Sequence, residues 1–510
     1  MKNLQARESK LDIIFPAFII AIMLGMMFFV CPFSPFYRYC FEPDEVCYRI
    51  MAKGLLHGKV PYRDLFDHKG PLVYCIYAIG LLLTGESSIG LWILFSLVNA
   101  LTFLMLYKTA RLFFEPASAF LGILLTIAFL FAFKNPIFSS GCKPEHLVFC
   151  LLVLSEYLFL KRIKERKTSS PEKTFSVRDM LILGLLCGGV FLLKLNYCIY
   201  YLCFIGSFFV FQLARKNVEA FLRSMIPFVC GILLDSLPFL IFFGYHGAMD
   251  DLIDAYVVFN SQYIKTFGYQ LFIFQPAFVG EIKIVIACFF IVILAAFLLA
   301  YSKARKDEQV RTQLVIYAFL ALIIIGFITL PQMYRYTFVT LVPILFIGPC
   351  YFVSFLRKNG ARVMTTIVSL GLCCTTMIFS LMILIVKSPQ VPKEKMEIET
   401  RMEQYTDTHP DATYMFYQYL CIPSFYEKTT AVPDFKYFYA PNANRLEIIA
   451  EQDRIIQEQV PDVLVFYSLD QIYGDEFVEE RCTFFDESGY SLYDVFGMQD
   501  RSIYVYVRAD

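Results

Sequence analysis

Charged residues are scarce in this chain: only 18% of its 510 residues are Asp, Glu, Lys or Arg, and acidic and basic side chains number 45 each. Without a net charge, the chain as a whole gives no reason to expect a nucleic acid or an acidic partner. A soluble globular protein is excluded as well, because 58% of the residues are hydrophobic and the mean hydropathy is +0.57.

Several motifs are absent too. There is no CxxC or metal-type spacing, no internal repeat, and no P-loop or dinucleotide fingerprint. Most of the sixteen cysteines, such as Cys187, Cys230 and Cys373, lie in apolar runs where a thiol behaves as a small hydrophobe. We therefore expect no disulfide framework; a pair between Cys421 and Cys482 in the C-terminal segment stays open.

Long apolar runs dominate the sequence. A spanning helix needs about 20 mostly apolar residues, because lipid offers no partners for backbone amides. The first run is too long for the core of a cleavable signal peptide, so we interpret it as a retained helix. The runs predict eleven spans, at 11–30, 88–110, 117–133, 144–160, 180–196, 197–214, 224–244, 282–301, 313–330, 337–356 and 363–386.

Basic residues predict the orientation. Alternate connections are rich in Lys and Arg, most clearly 161–178 and 303–311, and are assigned to the cytoplasm with the N-terminus. An odd number of spans then places the C-terminus outside. We thus expect an all-α polytopic membrane domain at 1–387, with a large first outer loop at 32–88, followed by an extracytoplasmic domain at 388–510.

The C-terminal segment has ordinary soluble character, with more acidic than basic residues. Apolar residues of 442–460 recur at helical spacing, whereas 463–467 and 502–507 have the composition of strands. These patterns predict a small α/β domain.

The first outer loop is the most informative stretch. Pro43 can begin a helix whose first turn contains Asp44 and Glu45, and acids in a first turn are favoured by the helix dipole alone. The alternative is that Asp44 is a base at the membrane surface, with Tyr48 one turn later on the same face. Lys69, in a Gly-Pro turn, is either solvated or bound to a phosphate.

Three further polar features fall at predicted outer helix ends: Lys143-Pro-Glu-His146, Lys194-Leu-Asn196 and Tyr334-Arg-Tyr336. An ionisable residue within a span, such as Lys194, is a functional candidate unless it snorkels to the interface. Arg335 could equally anchor the interface. Since all are assigned to one membrane face, we hypothesise a cavity for an anionic lipid head group and a hydroxyl acceptor. The loop at 245–280 either closes over this cavity or begins on the membrane surface.

The first outer loop resembles that of the GT-C superfamily of polyprenyl-phosphate-dependent glycosyltransferases, in the branch of protein mannosyltransferase-like (family 39-type) and aminoarabinose transferase-like enzymes. The resemblance rests on Pro43-Asp-Glu-x-x-Tyr48, Gly58-x-x-Pro-Tyr-Arg-Asp64 and His68-Lys-Gly-Pro-Leu-x-Tyr74. The order of the later polar features and the outer C-terminal domain agree, so it extends over the whole chain.

The resemblance implies roles for particular residues. Asp44 would be the catalytic carboxylate, with Glu45 beside it and Glu145 as the second acid, and Lys69, Lys194 and Arg335 would hold the donor phosphate. The remaining substrate contacts would come from Tyr48, His68, His146, Asn196 and Tyr336. The chain departs from the family pattern where Glu145 replaces the more usual Asp, where Gly70 replaces a proline, and where the Tyr334–Tyr336 element lacks a histidine.

The implied reaction moves a sugar from a polyprenyl phosphate to an acceptor hydroxyl at the outer face of the plasma or inner membrane, with inversion. The phosphate leaving group needs cations more than a proton, whereas the hydroxyl benefits from a base. A divalent cation stays open as a cofactor, and the acceptor is a glycan, a lipid or a protein. The alternatives are a transporter or flippase of lipid-linked sugars, and a surface scaffold in which Asp44 would be replaceable.

Overall fold

The computed structural model describes residues 2–37, 42–131, 137–165, 175–266, 315–317, 319–321, 323, 335–387, 393–417, 429, 431–440, 446–469, 475–498 and 501–509. The chain divides into two compact units. The first unit consists of Met1–Cys31, Leu94–Pro238 and Gly268–Ile383, and the second of Pro32–Ile93, Phe239–Phe267 and Leu384–Asp510.

Helices account for most of the described chain before the C-terminal segment. They are α1 Lys2–Val30, α2 Pro43–Leu56, α3 Pro71–Leu82, α4 Ser88–Arg111, α5 Pro116–Phe131, α6 Pro144–Glu165, α7 Val177–Leu193, α8 Ser207–Ala214, α9 Val218–Tyr245, α10 Met249–Ile253, α11 Phe259–Thr266, α12 Val342–Leu345, α13 Ile347–Lys358 and α14 Arg362–Lys387. Short 3-10 helices, Leu195–Tyr200 and Arg335–Leu341, precede α8 and α12.

Five stretches of the described chain are helical, long and apolar enough to cross a membrane: Lys10–Val30, Ser88–Arg111, Leu195–Ala214, Val218–Tyr245 and Arg362–Phe379. A pair bent by 47°, Tyr336–Leu345 with Ile347–Lys358, makes a sixth if it forms one span. These agree with predicted spans, and α5, α6 and α7 coincide with three more. The predicted span 282–301 lies outside the described residues and 313–330 mostly does, so the number eleven stays a prediction.

Small residues bring helices α7 and α9 of the first unit together. A Cβ atom on Gly184 would lie 2.0 Å from the carbonyl oxygen of Phe228, and one on Gly231 would lie 2.4 Å from the carbonyl oxygen of Leu181. No side chain fits at either position. Such close approach is the usual basis of helix association in lipid, where hydrophobic burial supplies no driving force.

The loop at 32–88 contains two helices of the second unit, each beginning with a proline. Pro43 and Pro71 occupy the first turns of α2 and α3, where the missing N–H costs no hydrogen bond. The helix predicted at Pro43 is thus present, whereas the apolar helix α3 within the polar loop was not anticipated. The turn between α2 and α3 is tied to the C-terminal segment, because the Phe66 N–H donates to the Lys436 carbonyl at 2.8 Å.

The C-terminal segment forms an α/β domain, as predicted. Its helices are α15 Lys393–Thr408, α16 Leu446–Gln457 and α17 Asp475–Glu487, and its strands are β1 Tyr414–Tyr417, β2 Val463–Leu469, β3 Tyr490–Met498 and β4 Arg501–Arg508. The sheet order is β1-β2-β4-β3, with β1 parallel to β2 and the other pairs antiparallel. The predictions of α16, β2 and β4 are confirmed; the cysteine pair Cys421–Cys482 cannot be described, since Cys421 is outside the described residues.

Candidate active site

Helix α2 presents two acids of different accessibility at its start. Asp44 and Glu45 lie in the first turn, where the helix dipole favours negative charge. Glu45 is completely buried, whereas Asp44 retains partial exposure. Of the two carboxylates predicted here, Asp44 is therefore the one that a bound molecule can reach.

A cationic turn packs beside this helix. The Nζ of Lys69 lies 5.9 Å from the centre of the Tyr48 ring and 2.7 Å from Nε2 of His68. Burial and the neighbouring charge of Lys69 lower the pKa of His68 below its ordinary value. The imidazole is therefore neutral and accepts a hydrogen bond from the ammonium group, so the structure brings together three predicted site residues, Tyr48, His68 and Lys69.

Asp67 fixes the conformation of this turn through hydrogen bonds. Its carboxylate accepts hydrogen bonds from the hydroxyls of Tyr74 and Tyr439, both at 3.0 Å, and from the backbone N–H of His68 at 2.7 Å. Burial would raise the pKa of Asp67, but the hydrogen bonds from His68 and the charge of Lys69 outweigh it and hold the pKa well below its usual range. Asp67 is thus a buried carboxylate whose charge is stabilised by the residues that it positions.

Tyr439 and Asn260 anchor the same turn from two other segments of the second unit. Tyr439 belongs to the C-terminal domain, and Asn260 of α11 donates from its side-chain amide to the His68 carbonyl oxygen at 2.7 Å. The backbone of the turn that carries Lys69 is therefore fixed by residues distant in sequence. Sequence reasoning assigned no role to Asp67, Tyr74 or Tyr439; the local signals were the acid that directly precedes His68-Lys69 and the tyrosine that ends the motif His68–Tyr74.

The first unit contains a second group of charged residues. Glu145, buried in the first turn of α6, forms an ion pair with Lys194, whose side chain is 27% exposed. Lys194 follows α7 with extended backbone, φ −161° and ψ 99°, and its Nζ lies 5.5 Å from the ring centre of Tyr197. Two residues predicted from separate motifs, the second acid and the intramembrane lysine, are thus direct partners.

Other predicted residues of the first unit occupy different positions. His146 is fully buried and its Nε2 lies 2.7 Å from the Phe138 carbonyl oxygen, so this nitrogen orients the preceding loop. Asn196 is exposed. Arg335 begins a 3-10 helix, and its side chain lies outside the described residues.

Lys143 is a cation that the predicted site omitted. Its Nζ lies 4.8 Å from the ring centre of Tyr336, a predicted substrate contact, although the side chain is largely buried. The signal was present in the motif Lys143-Pro-Glu-His146, but a lysine in a connecting loop is not distinguishable by spacing from a solvated one. As for metals, the described residues contain no group of three or more His, Cys, Asp or Glu side chains placed to hold an ion.

Part of the chain matches a known protein family, and its fold matches solved structures. Residues 68–242 match the family model described as dolichyl-phosphate-mannose-protein mannosyltransferase. No curated protein sequence matches the chain. Among solved structures, ArnT from Cupriavidus metallidurans bound to undecaprenyl phosphate is similar with a TM-score of 0.63 and 12% identity, over 96% of this chain and 97% of that one.

An archaeal oligosaccharyltransferase also has this fold. AglB from Archaeoglobus fulgidus, in complex with an inhibitory peptide and a dolichol-phosphate, is similar with a TM-score of 0.53 and 12% identity, over 96% of this chain and 74% of that one. The fold class is thus that of polytopic GT-C proteins with a C-terminal domain. The partial family match and the shared fold agree with the resemblance to the GT-C superfamily that the sequence shows.

Proposed function

We propose that this protein is a membrane glycosyltransferase that moves a sugar from a polyprenyl-phosphate donor to an acceptor hydroxyl on the extracytoplasmic face. The observation that carries the proposal is the contact between the acid-bearing helix and the cationic turn: Tyr48, one turn after Asp44, faces the Nζ of Lys69. A carboxylate and an ammonium group beside an aromatic ring suit a sugar linked to a phosphate.

Asp44 acts as the general base in this proposal. The acceptor hydroxyl gives its proton to Asp44 while its oxygen attacks the anomeric carbon from the side opposite the phosphate, so the configuration inverts. The partial exposure of Asp44 supports this assignment, since a hydroxyl must approach within hydrogen-bond distance of the base. Glu45, which is fully buried, has a supporting role.

The departing phosphate is stabilised by Lys69, Lys194 and Arg335. A lipid phosphate leaves as an anion of low basicity, and fixed cations stabilise the charge that develops on it. The contacts of Lys69 with neutral groups favour this role, because its positive charge is held in place by an imidazole and a ring. Lys194 forms an ion pair with Glu145. We include both residues of this pair in the proposed donor site.

The donor class is supported by the solved relatives. ArnT was solved with undecaprenyl phosphate and AglB with a dolichol-phosphate, and both compounds are polyprenyl phosphates. A chain with this fold and with apolar helices can keep such a tail in the bilayer while its head group reaches polar residues at a membrane face. A multi-pass membrane protein suits a lipid-linked donor. The cytoplasmic N-terminus and the extracytoplasmic C-terminal domain are part of the proposal.

The Asp44→Asn variant tests the proposal. Purified protein in lipid is supplied with a radiolabelled polyprenyl-phosphate sugar and an acceptor extract, and transfer is measured as label released from the lipid phase. We expect a loss of about 10³-fold in the transfer rate, since a positioned general base contributes roughly 10²–10⁴-fold. Glu86→Gln is the matched control, because Glu86 is an exposed acid of the same loop that pairs with His57.

Two results would count against the proposal. Full transfer by a folded Asp44→Asn variant would remove Asp44 from the mechanism. Movement of intact lipid-linked sugar across the bilayer, without transfer by the native protein, would favour the flippase instead.

A further inference from the structure

Two cysteines that are far apart in sequence meet at the end of α1. Cys31 directly follows the last residue of this helix, and Cys142 lies two residues before α6 begins. Their sulfur atoms are 3.1 Å apart, and both residues are completely buried. Both belong to the first unit of the fold.

The backbone around the two cysteines fixes this approach. The Cys31 N–H donates to the Met27 carbonyl at 3.2 Å, which continues the helical pattern, and the side-chain amide of Asn99 donates to the Gly141 carbonyl at 2.8 Å. Gly141 has a φ of +73°, and a Cβ atom there would lie 2.6 Å from the Met27 sulfur. The loop before α6 is therefore packed tightly against the last turn of α1.

We propose that Cys31 and Cys142 form a disulfide bond in the mature protein. A disulfide has an S–S length of about 2.05 Å, so the two sulfurs need to approach by only about 1 Å. The proposal depends on the outward orientation of this end of α1, which belongs to the proposed function, because structural disulfides persist in oxidising compartments outside the cytoplasm.

The reaction requires an oxidant, and we assign this role to the disulfide of a thiol-oxidising enzyme. A thiolate of one cysteine attacks that disulfide and displaces one of its sulfurs as a thiol. The second cysteine of this chain, also as a thiolate, then attacks the sulfur of the first cysteine in the mixed disulfide and displaces the oxidant's remaining sulfur. Two protons and two electrons leave the cysteine pair, and the oxidant becomes a dithiol. Since both thiols are buried in the folded chain, the bond forms while the loop is packing.

The bond would anchor the loop that leads into the proposed donor site. Cys142 is followed at once by Lys143, and Glu145 lies three residues after it, in ion pair with Lys194. A bond to α1 closes a long stretch of chain and restricts the unfolded state, which stabilises the native arrangement of these charges.

Mass spectrometry of the full-length protein tests the bond. Membranes are dissolved in denaturant with N-ethylmaleimide, which caps every free thiol, and peptides are mapped before and after reduction. We expect a linked pair of peptides containing Cys31 and Cys142 that disappears on reduction and is absent from Cys31→Ser. Maleimide on both residues without reduction, or a link from Cys142 to a cysteine other than Cys31, would overturn the proposal.

Thermal unfolding of the purified protein gives a second readout. The double variant Cys31→Ser/Cys142→Ser is expected to lower the Tm by about 5 °C relative to Cys350→Ser, which also replaces a buried thiol. Equal Tm values would show that no stabilising bond is lost. Failure of either readout with sugar transfer intact refutes the disulfide alone, whereas a mapped disulfide in a protein without transferase activity refutes the proposed function alone.

Discussion

The charged residues around Glu145 and those around Asp67 are stabilised in different ways. In the first unit, Glu145 and Lys194 neutralise each other directly in an ion pair. In the second unit, the Asp67 carboxylate is held by tyrosine hydroxyls, and Lys69 contacts an imidazole and a ring. Lys194 is therefore in direct contact with its acid, whereas Lys69 stabilises the Asp67 carboxylate through its charge while its ammonium group contacts a neutral imidazole.

Loss of the Asp67 carboxylate should be the largest perturbation of stability. Asp67→Ala leaves the hydroxyl of Tyr439 and the backbone N–H of His68 without their buried acceptor, so we expect the free energy of unfolding to fall by about 3 kcal/mol. Chemical denaturation of the purified protein measures this. The exposed Asp434, paired with Lys59, supplies the control Asp434→Ala, for which a change below about 1 kcal/mol is expected. Equal effects of the two variants would show that the buried carboxylate does not hold the turn.

Removal of Lys194 separates its two proposed roles. Lys194→Met leaves Glu145 buried without its cation, and we expect transfer to fall by about 100-fold as the donor phosphate loses a positive charge. Adding Glu145→Gln removes the buried negative charge and should restore thermal stability but not activity. If the double variant recovers activity as well, Lys194 serves only to neutralise Glu145.

Lys53 makes the second unit sensitive to pH. This lysine of α2 donates to the carbonyl oxygens of Thr429 and Ala431, and burial together with the charge of Arg49 lowers its pKa from 10.5 to about 8. The unfolded chain therefore keeps this proton to a higher pH than the folded chain does. Stability must rise as the pH increases from about 8 towards 10.5, and the cost of burying the charged form is fully present below pH 8.

The Lys53→Met variant isolates this contribution. Between pH 7 and pH 9 the native protein should gain about 1 kcal/mol more stability than the variant does, when both are unfolded by denaturant in matched buffers. Parallel pH profiles for the two proteins would exclude Lys53 as the titrating group.

The smallest effect is expected at Tyr439. Tyr439→Phe removes one of the hydrogen bonds to Asp67, and a loss of about 1 kcal/mol in unfolding free energy is expected. Because the turn carrying Lys69 loosens, KM for the lipid donor should rise more than kcat falls. Tyr493→Phe, at an exposed tyrosine of β3, is the control. An unchanged KM would mean that the C-terminal domain does not position the donor-binding turn.

Much of the fold was predictable because its signals are local. Apolar runs that are long enough to cross a bilayer predict membrane helices. Pro43 begins α2, as expected from its fixed φ. Strand β1 escaped prediction because its four residues, Tyr414–Tyr417, are all buried and show no alternation. Helix α3 was not predicted because its apolar run is only twelve residues long and lies within a polar loop.

The residues of the candidate site could be proposed from the sequence, but the contacts that they make could not. Lys194 was chosen because an ionisable group within an apolar segment is costly unless it has a role, whereas Asp44 and Lys69 were chosen from the motifs of the first loop. Their partners were not predictable, since no spacing links Glu145 to Lys194, 49 residues away, or Asp67 to Tyr439, 372 residues away.

The sequence alone was enough to predict that this chain spans a membrane and that a polar loop with an acid and a lysine follows its first apolar helix, because hydropathy and helix initiation act over a few residues. The contacts of Cys31 with Cys142 and of Asp67 with Tyr439, by contrast, are visible only in the folded chain. Such pairings depend on how distant segments pack, and the free energy that selects them is shared among many contacts rather than encoded beside either residue.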